Sequence, residues 1–200
     1  MDQIIAQRQE KDRFFKSSPY SPLTPEQQAH FTQLNYYDPN PALVFDLTPE
    51  LFPDRANVKM QTSTGDTRYY QRWGRIKFQV EAQEAELTLY YNPGDSSFFV
   101  PFMDATSGTE TYGAGRYVEV ERRLDGRIHI DFNEAYSPYC AYNEPLQMAA
   151  AAGREPQTWS CPIPPKENRL NVPIRAGEKK PTGDWVIQED ELHPGDHSPR

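Results

Sequence analysis

Between Asp104 and Tyr142 the chain gathers the side-chain types that acid, base, nucleophile and anion-binding chemistry use. The stretch 104–115 reads DATSGTETYGAG, and 133–142 reads NEAYSPYCAY. The first offers the hydroxyls of Thr106, Ser107, Thr109, Thr111 and Tyr112 in a loop whose glycines permit close backbone approach to an anion. Its spacing fits neither the phosphate loop nor the dinucleotide fingerprint, so a plain surface loop outweighs nucleotide binding. Glu110, Asp131 and Glu134 are the carboxylates placed to exchange protons with a substrate, Glu110 above all because it lies inside the loop; an ordinary solvated carboxylate is the alternative for each. Cys140 is a nucleophile only if a neighbouring base lowers its pKa, and a buried, inert thiol is the plainer expectation. Cys161 can approach it as a disulfide or a shared ligand pair. The four histidines, His30, His129, His193 and His197, are scattered, and no C-x-x-C or paired-His spacing marks zinc, so neither metal nor cofactor is expected.

These residues need a frame, and a period-two alternation from Arg68 to Asn133 supplies one. It predicts five strands. The first spans about Arg68 to Val80, with Ile76, Phe78 and Val80 on one face and Gly74 at a bulge or close approach. Ala85 to Tyr91 aligns Leu87, Leu89 and Tyr91; Ser97 to Met103 aligns Phe98, Val100 and Phe102. Arg116 to Arg123 aligns Val118 with Val120, and Arg127 to Asn133 aligns Ile128, Ile130 and Phe132. Short connections make an antiparallel meander the simplest topology, closing into a small barrel or a curled sheet. Such a meander carries the loops 104–115 and 133–142 to the same end. Parity then turns Asp104 and Arg116 inward at the mouth, where they form a structural ion pair or Arg116 receives a ligand carboxylate or phosphate.

The flanks read differently. Asp2 to Lys16 suits a short, weakly amphipathic, peripheral helix, and Thr24-Pro25-Glu26-Gln27 is a capping-box start for a second helix ending near Leu34. Four prolines between Asn35 and Asp54 leave room for one short strand at most. After Asn133 the prolines predict an extended wrap over the core, with a short helix about Met148 to Ala152 and a frayed tail from Gly183. The chain is thus expected to be one mainly β domain: 1–54 helical or irregular, 55–133 the β core, 134–182 the wrap, and 183–200 the tail.

With 21 Lys and Arg against 29 Asp and Glu, the net charge of −8 argues against a nucleic-acid partner. No stretch approaches the roughly 20 apolar residues that span a bilayer, and the first residues lack the apolar centre of a secretory signal. A cytoplasmic protein with no membrane partner is the expectation; composition leaves oligomeric state open.

The motifs FMDATSG (102–108), TYGAGRY (111–117), DFNEAY (131–136), CPIPPKENRL (161–170) and IRAGEK (174–179) resemble those of domain-of-unknown-function family 1684, small bacterial and archaeal proteins. The likeness runs from about Arg68 to Lys180 and implies no established activity. It implies motif positions at Asp104, Thr106, Gly108, Thr111, Tyr112, Gly115, Arg116, Asp131, Asn133, Tyr136, Cys140, Cys161, Asn168 and Arg169. Glu144 to Thr158 reads as an insertion between the two cysteine-bearing segments. The leading expectation is a module that binds a small polar or anionic ligand through Asp104, Thr106, Thr111, Tyr112, Arg116, Asn133, Tyr136, Asn168 and Arg169. The alternatives are a hydrolase or lyase using Glu110 or Asp131 with Arg116, or Cys140 as nucleophile, and a structural or partner-binding protein carried by the Pro-rich wrap.

Overall fold

A computed structural model of the protein describes residues 2–63, 65–142 and 159–186. In chain order it contains α1 (Asp2–Ser17), α2 (Pro25–His30), β1 (Val44–Leu47), β2 (Glu50–Leu51), β3 (Asn57–Gln61), β4 (Thr67–Val80), β5 (Gln83–Asn92), β6 (Ser97–Phe102), β7 (Arg116–Val118), β8 (Val120–Arg122) and β9 (Ile128–Asp131). The strands build two antiparallel sheets. The larger has the order β2-β4-β5-β6-β7, with β3 also on β4, and the smaller has β9 between β1 and β8.

The fold is mainly β and antiparallel, as the alternation predicts, but among the described residues neither sheet closes into a barrel. The reason lies at Glu119. The strand expected over Arg116 to Arg123 is two strands: β7 ends the larger sheet, and β8 joins the smaller. The chain changes sheet where a barrel would have continued its ladder. Ile76, Phe78, Leu87, Leu89, Val100, Phe102 and Val118 of the larger sheet meet Phe45, Ile128 and Ile130 of the smaller in one core. Phe132 sits between the sheets, its ring 5.4 Å from that of Phe78 and 5.6 Å from that of Phe102. Each such side chain, fully buried, contributes about 1.5–3 kcal/mol.

Gly74 is both a bulge and a close approach. The β4–β5 register shifts between Arg72 and Gly74, and a Cβ at Gly74 would lie 2.8 Å from the Glu50 carbonyl of β2. The extra residue reverses parity along β4. After it, Ile76 and Phe78 face the core; before it, Tyr70 and Arg72 share the outer face with Tyr90, Phe99 and Tyr117.

The Pro-rich segment is built into the core rather than laid over it. Leu170, Val172, Ile174 and Ala176 alternate with exposed or half-buried residues and are themselves buried. Met103 and Arg169 form a parallel bridge, and the Ala105 N–H donates to the Val172 carbonyl.

α1 is likewise docked, not peripheral: Phe15 is fully buried in a second apolar cluster with Leu23, Phe31, Leu34, Tyr142 and Trp185. Trp185 therefore belongs to the body of the fold, although the sequence places it in a frayed tail. α2 has the expected capping box at Thr24 and Gln27 but ends at His30, because Phe31 turns extended and puts its ring 4.9 Å from that of Trp185. β3 and its ladder on β4 were not expected, and β1, the short strand allowed among the prolines, pairs with β9 from outside the proposed 55–133 core. The helix expected at 148–152 lies outside the described residues. No helix among the described residues is long and apolar enough to cross a membrane.

Candidate functional site

Asp104 extends β6 and Arg116 opens β7, so strand geometry brings them together, with Arg116 Nη2 3.4 Å from Asp104 Oδ2. Both are buried, Arg116 to 1% exposure. Burial pushes the guanidinium pKa down, and the Asp104 charge opposes it. The larger part of the guanidinium's bonding goes elsewhere. Arg116 donates to the carbonyls of Ile174 (2.7 Å), Ala176 (2.5 Å) and Glu178 (3.0 Å), alternate residues of one extended segment. Asp104 Oδ2 accepts the Ile174 N–H at 2.6 Å. A buried extended chain lacking a full sheet partner must satisfy its backbone groups somehow, and here two charged side chains do so. This end of the molecule is filled: Thr106 (1% exposed) donates to Asp104, and Thr111 (0%) meets Thr106 at 3.0 Å.

The other expected residues disperse around this clasp. Asn133 is tied to the backbone of Asn40, and Asp131 caps the turn that follows it by accepting the Asn133 N–H at 2.8 Å. Gly177, at a φ of 74°, lets the segment pass so close that a Cβ there would lie 2.3 Å from the Ala135 carbonyl. Buried Asn168 bonds Thr88 and Pro101, whereas Arg169 is exposed. Glu110 is held by Arg175 at 2.8 Å and by the Tyr37 hydroxyl at 2.9 Å. Among the described residues no group of three His, Cys, Asp or Glu side chains is placed to hold a metal ion.

An open cleft of about 600 Å³ lies on the outer face of the larger sheet. Its wall is a chain of rings: Tyr70 stacks on Phe99 (5.3 Å), Tyr117 meets Phe99 edge-on (4.8 Å), and Tyr136 meets Tyr117 (5.7 Å). Tyr139 and Trp159, in edge contact at 4.9 Å, close the other side. Arg68 and Lys11 bring positive charge, Asp95 and Glu119 negative. Lys11 is paired with Glu178 at 2.5 Å, and Glu119 accepts from the Tyr136 hydroxyl at 2.7 Å. Arg68 bonds the Ser160 carbonyl at 3.0 Å and has no carboxylate partner among the described residues.

Cys161, buried, also lines the cleft, and Cys140 is half-buried. The Cys140 thiol and backbone N–H, the Ser63 hydroxyl and the Arg68 charge lower the Cys161 pKa against burial; donation to Cys161, together with burial, raises that of Cys140. The Tyr112 hydroxyl lies 3.9 Å from the Cys140 sulfur.

Residues 29–179 match the model of a protein family of unknown function, DUF1684. The chain belongs to the DUF1684 family. It is 35% identical to an uncharacterised protein from gene locus rrnAC0354 of Haloarcula marismortui, whose solution NMR structure it matches with a TM-score of 0.63 over 89% of this chain and 92% of that one. No protein among those with curated descriptions matches it.

In this DUF1684 chain the motif residues sort by face. Asp104, Thr106, Thr111, Arg116 and Asn168 are buried and bond within the fold, whereas Tyr117, Tyr136, Cys161 and Pro162 reach the cleft. Sequence reasoning passed over the cleft's Tyr70, Phe99 and Arg68. Their signal was a second apolar parity on strands already apolar on the first, obscured by the bulge at Gly74.

Glu110 yields a pH-dependent prediction. Hydrogen bonds from Arg175 lower its pKa, and the Tyr37 hydroxyl adds to this against a little desolvation. A depressed carboxylate pKa contributes stability above the unfolded value of about 4.3, lost as pH falls through the folded value. The Glu110 side chain is 35% exposed, so solvent screening holds the contribution to about 1 kcal/mol or less. Glu110→Gln should lower Tm slightly at pH 7, and the gap from wild type should close as pH falls through the folded pKa. Thermal melts from pH 7 down through the acid range check this.

Proposed function

We propose that the protein binds a small anionic molecule with a flat apolar body, and that it does so in the aromatic cleft rather than at the Asp104 and Arg116 end. The observation that carries the reading is the ring wall from Tyr70 to Tyr136 with Arg68 beside it, a cation without a carboxylate among the described residues. Sites for small molecules are concave, mostly apolar and given direction by a few polar groups, in volumes of roughly 300–1,000 Å³. The cleft, at about 600 Å³, lies within that range. Aromatic faces hold a planar ligand at low entropic cost, and a guanidinium fixes a carboxylate or phosphate with two parallel hydrogen bonds. Arg116 itself is 1% exposed and its amino groups are engaged by backbone carbonyls and Asp104, which leaves no surface for a ligand or a substrate.

Trp159 in the cleft wall supplies the readout. A panel of aromatic carboxylates and planar phosphates is titrated against the protein, following tryptophan fluorescence and Tm. At least one member should quench saturably and raise Tm, and Arg68→Ala should weaken that member about tenfold or more, since a hydrogen bond to a charged group contributes roughly 1.5–3 kcal/mol. If nothing on the panel protects the wild type, or if Arg68→Ala binds as tightly, the reading is wrong.

A further inference from the structure

The charges of the cleft are not spread evenly along its ring wall. Arg68 stands on β4, two residues before Tyr70, at one end of the wall. Glu119 follows β7, two residues after Tyr117, and its Oε1 accepts from the Tyr136 hydroxyl at the other end. β5 and β6 lie between β4 and β7, so strand spacing alone sets the two backbones at least about 14 Å apart. Glu119 is exposed, has no ion-pair partner among the described residues, and accepts no hydrogen bond there at its second oxygen. The other charges of the cleft are committed. Lys11, over the Tyr136 ring at 4.9 Å, is bonded to Glu178 at 2.5 Å, and Asp95 accepts the N–H (3.1 Å) and hydroxyl (2.6 Å) of Ser97 within its own turn. What remains is one cation and one carboxylate at opposite ends of a flat apolar wall. Beyond Glu119 the surface stays acidic. A recess of about 520 Å³ beside β8 and β9 borders on Glu119 too, and carries Glu121, Asp131 and Glu134 against Arg123 and His129. Arg123 is paired with Glu121 at 2.8 Å and His129 with Asp46 at 3.1 Å. Arg8, in the recess beneath α1, is turned to the Tyr37 carbonyl at 2.8 Å and the Tyr36 ring. Carboxylates in excess at one mouth of a cleft gather cations there.

We propose that the ligand of the cleft is amphoteric: a flat body of two aromatic rings, with a carboxylate or phosphate at Arg68 and a protonated amine at Glu119. This rests on the ligand reading above and narrows it, since that reading fixes only the anionic end. Tyr136 positions the receptor for the amine. Its hydroxyl holds Oε1 of Glu119, which leaves Oε2 to accept from an ammonium. Both charged side chains are long enough to reach inward from their strands, so two rings laid along the wall bring the ligand's ends to them. The same arrangement rejects as well as selects. A molecule with an anion at each end meets Glu119 with like charge, and one with an apolar far end leaves that carboxylate solvated and unused.

The test uses the full chain and three biphenyl-4-carboxylates that differ only at the far end: 4′-aminomethyl, 4′-ethyl and 4′-carboxy. Isothermal titration calorimetry at pH 7 and low salt gives each affinity. The aminomethyl compound should bind about fivefold tighter than the ethyl compound, a gain between those of an exposed ion pair and a hydrogen bond to a charged group. The dicarboxylate should bind weakest, and about 0.5 M salt should narrow both gaps. Glu119→Gln keeps an oxygen for the Tyr136 hydroxyl. It should bring the aminomethyl compound down to the affinity of the ethyl compound and leave the ethyl compound unchanged. Asp95→Asn should preserve the gap, and Arg68→Ala should weaken all three. Equal affinities for the aminomethyl and ethyl compounds, or a dicarboxylate as tight as the amine, would overturn the inference. So would a gap that survives Glu119→Gln or disappears in Asp95→Asn, or an equal loss of both compounds in Glu119→Gln. If no biphenyl binds while a one-ring carboxylate does, the two-ended span is wrong. An ethyl compound that binds through Arg68 with no preference for the amine sinks this inference alone; if no carboxylate binds at all, the ligand reading fails and takes this one with it.

Discussion

Asn168→Asp is expected to lower Tm by about 10 °C or more at neutral pH and by less at pH 4. The β5–β6 ladder pairs Tyr90 with Phe99, Tyr91 with Phe98 and Asn92 with Ser97, and continuing that register would set Thr88 opposite Pro101, which has no N–H to give. The Asn168 carboxamide enters there. Its Oδ1 accepts the Thr88 N–H at 2.8 Å, and its Nδ2 donates to the carbonyls of Thr88 (3.0 Å) and Pro101 (2.9 Å). The side chain behaves as a residue of the missing strand and is fully buried. A carboxylate would face two carbonyl oxygens with nothing to donate. Each buried polar group left without a partner costs about 1–3 kcal/mol, and an ionised one more, so a total near 4 kcal/mol is expected. At roughly 2–4 °C per kcal/mol for a chain of this size, that is the stated fall. Burial and the facing oxygens would raise the new carboxyl's pKa, since only the protonated form can donate. A raised carboxyl pKa makes the variant relatively more stable below that value and less stable as pH rises through it. Asn168→Ala loses the same three bonds without a charge and should cost about 3 kcal/mol with no such pH dependence. Exposed Arg169→Ala, the neighbouring control, should stay within about 0.5 kcal/mol of wild type. Melts of the three variants at pH 4 and pH 8 decide the matter; equal losses for Asn168→Asp at both would refute the account.

Asn168 also shows where sequence reading stops. The alternation of Ile76, Phe78 and Val80, or of Ile128, Ile130 and Phe132, is visible because a strand's period is written in consecutive residues. Whether those strands share one closed ladder is not, because closure depends on which edges pair, and alternation is the same in a barrel and in two open sheets. The Asp104 and Arg116 juxtaposition was legible for the same reason as the strands: each residue continues a face already established. What Arg116 holds was not, since its acceptors are backbone carbonyls 58 to 62 positions away and a carbonyl has no letter in the sequence. Leu170, Val172, Ile174 and Ala176 did carry a period-two signal, but Pro165 and Pro173 around it argued for a wrap without strand pairing; the segment is extended and buried, bridged to Met103 at its start and satisfied by the Arg116 and Asp104 side chains from Ile174 onward. The cleft was hidden differently. Tyr70 has the same parity as Ile76 in the sequence and the opposite one in the sheet, because the bulge between Arg72 and Gly74 intervenes. An approach of Cys161 to Cys140 was left open by the sequence, because the 143–158 stretch separates them and no local spacing decides it.

Arg116→Met should be comparably damaging, and a double variant distinguishes the two accounts of why. If the ion pair with Asp104 were the main interaction, replacing both residues by apolar ones of similar volume would restore most of the loss, as removal of a whole buried pair often does. The geometry predicts otherwise. Of the four hydrogen bonds made by Arg116, three end on the carbonyls of Ile174, Ala176 and Glu178, and the Asp104 contact is the longest at 3.4 Å. Arg116→Met should therefore cost about 3–5 kcal/mol, the range for one partner removed from a buried charged network. Asp104→Leu combined with it should recover little, because the carbonyls stay unsatisfied and the Ile174 N–H is orphaned as well. Asp104→Asn alone should be the mildest of the set, since its amide oxygen can still accept from Ile174 and Thr106. Where the loss is felt is as informative as its size. The segment from Ile174 to Glu178 is held at alternate carbonyls by this one guanidinium, and exposed Arg175 lies between two of them. In Arg116→Met, trypsin should cut after Arg175 many times faster than in wild type under conditions where the rest of the chain remains folded. Global unfolding with no preference for that bond would show instead that the clasp is inseparable from the core. Recovery in the double variant would return the ion pair to first place.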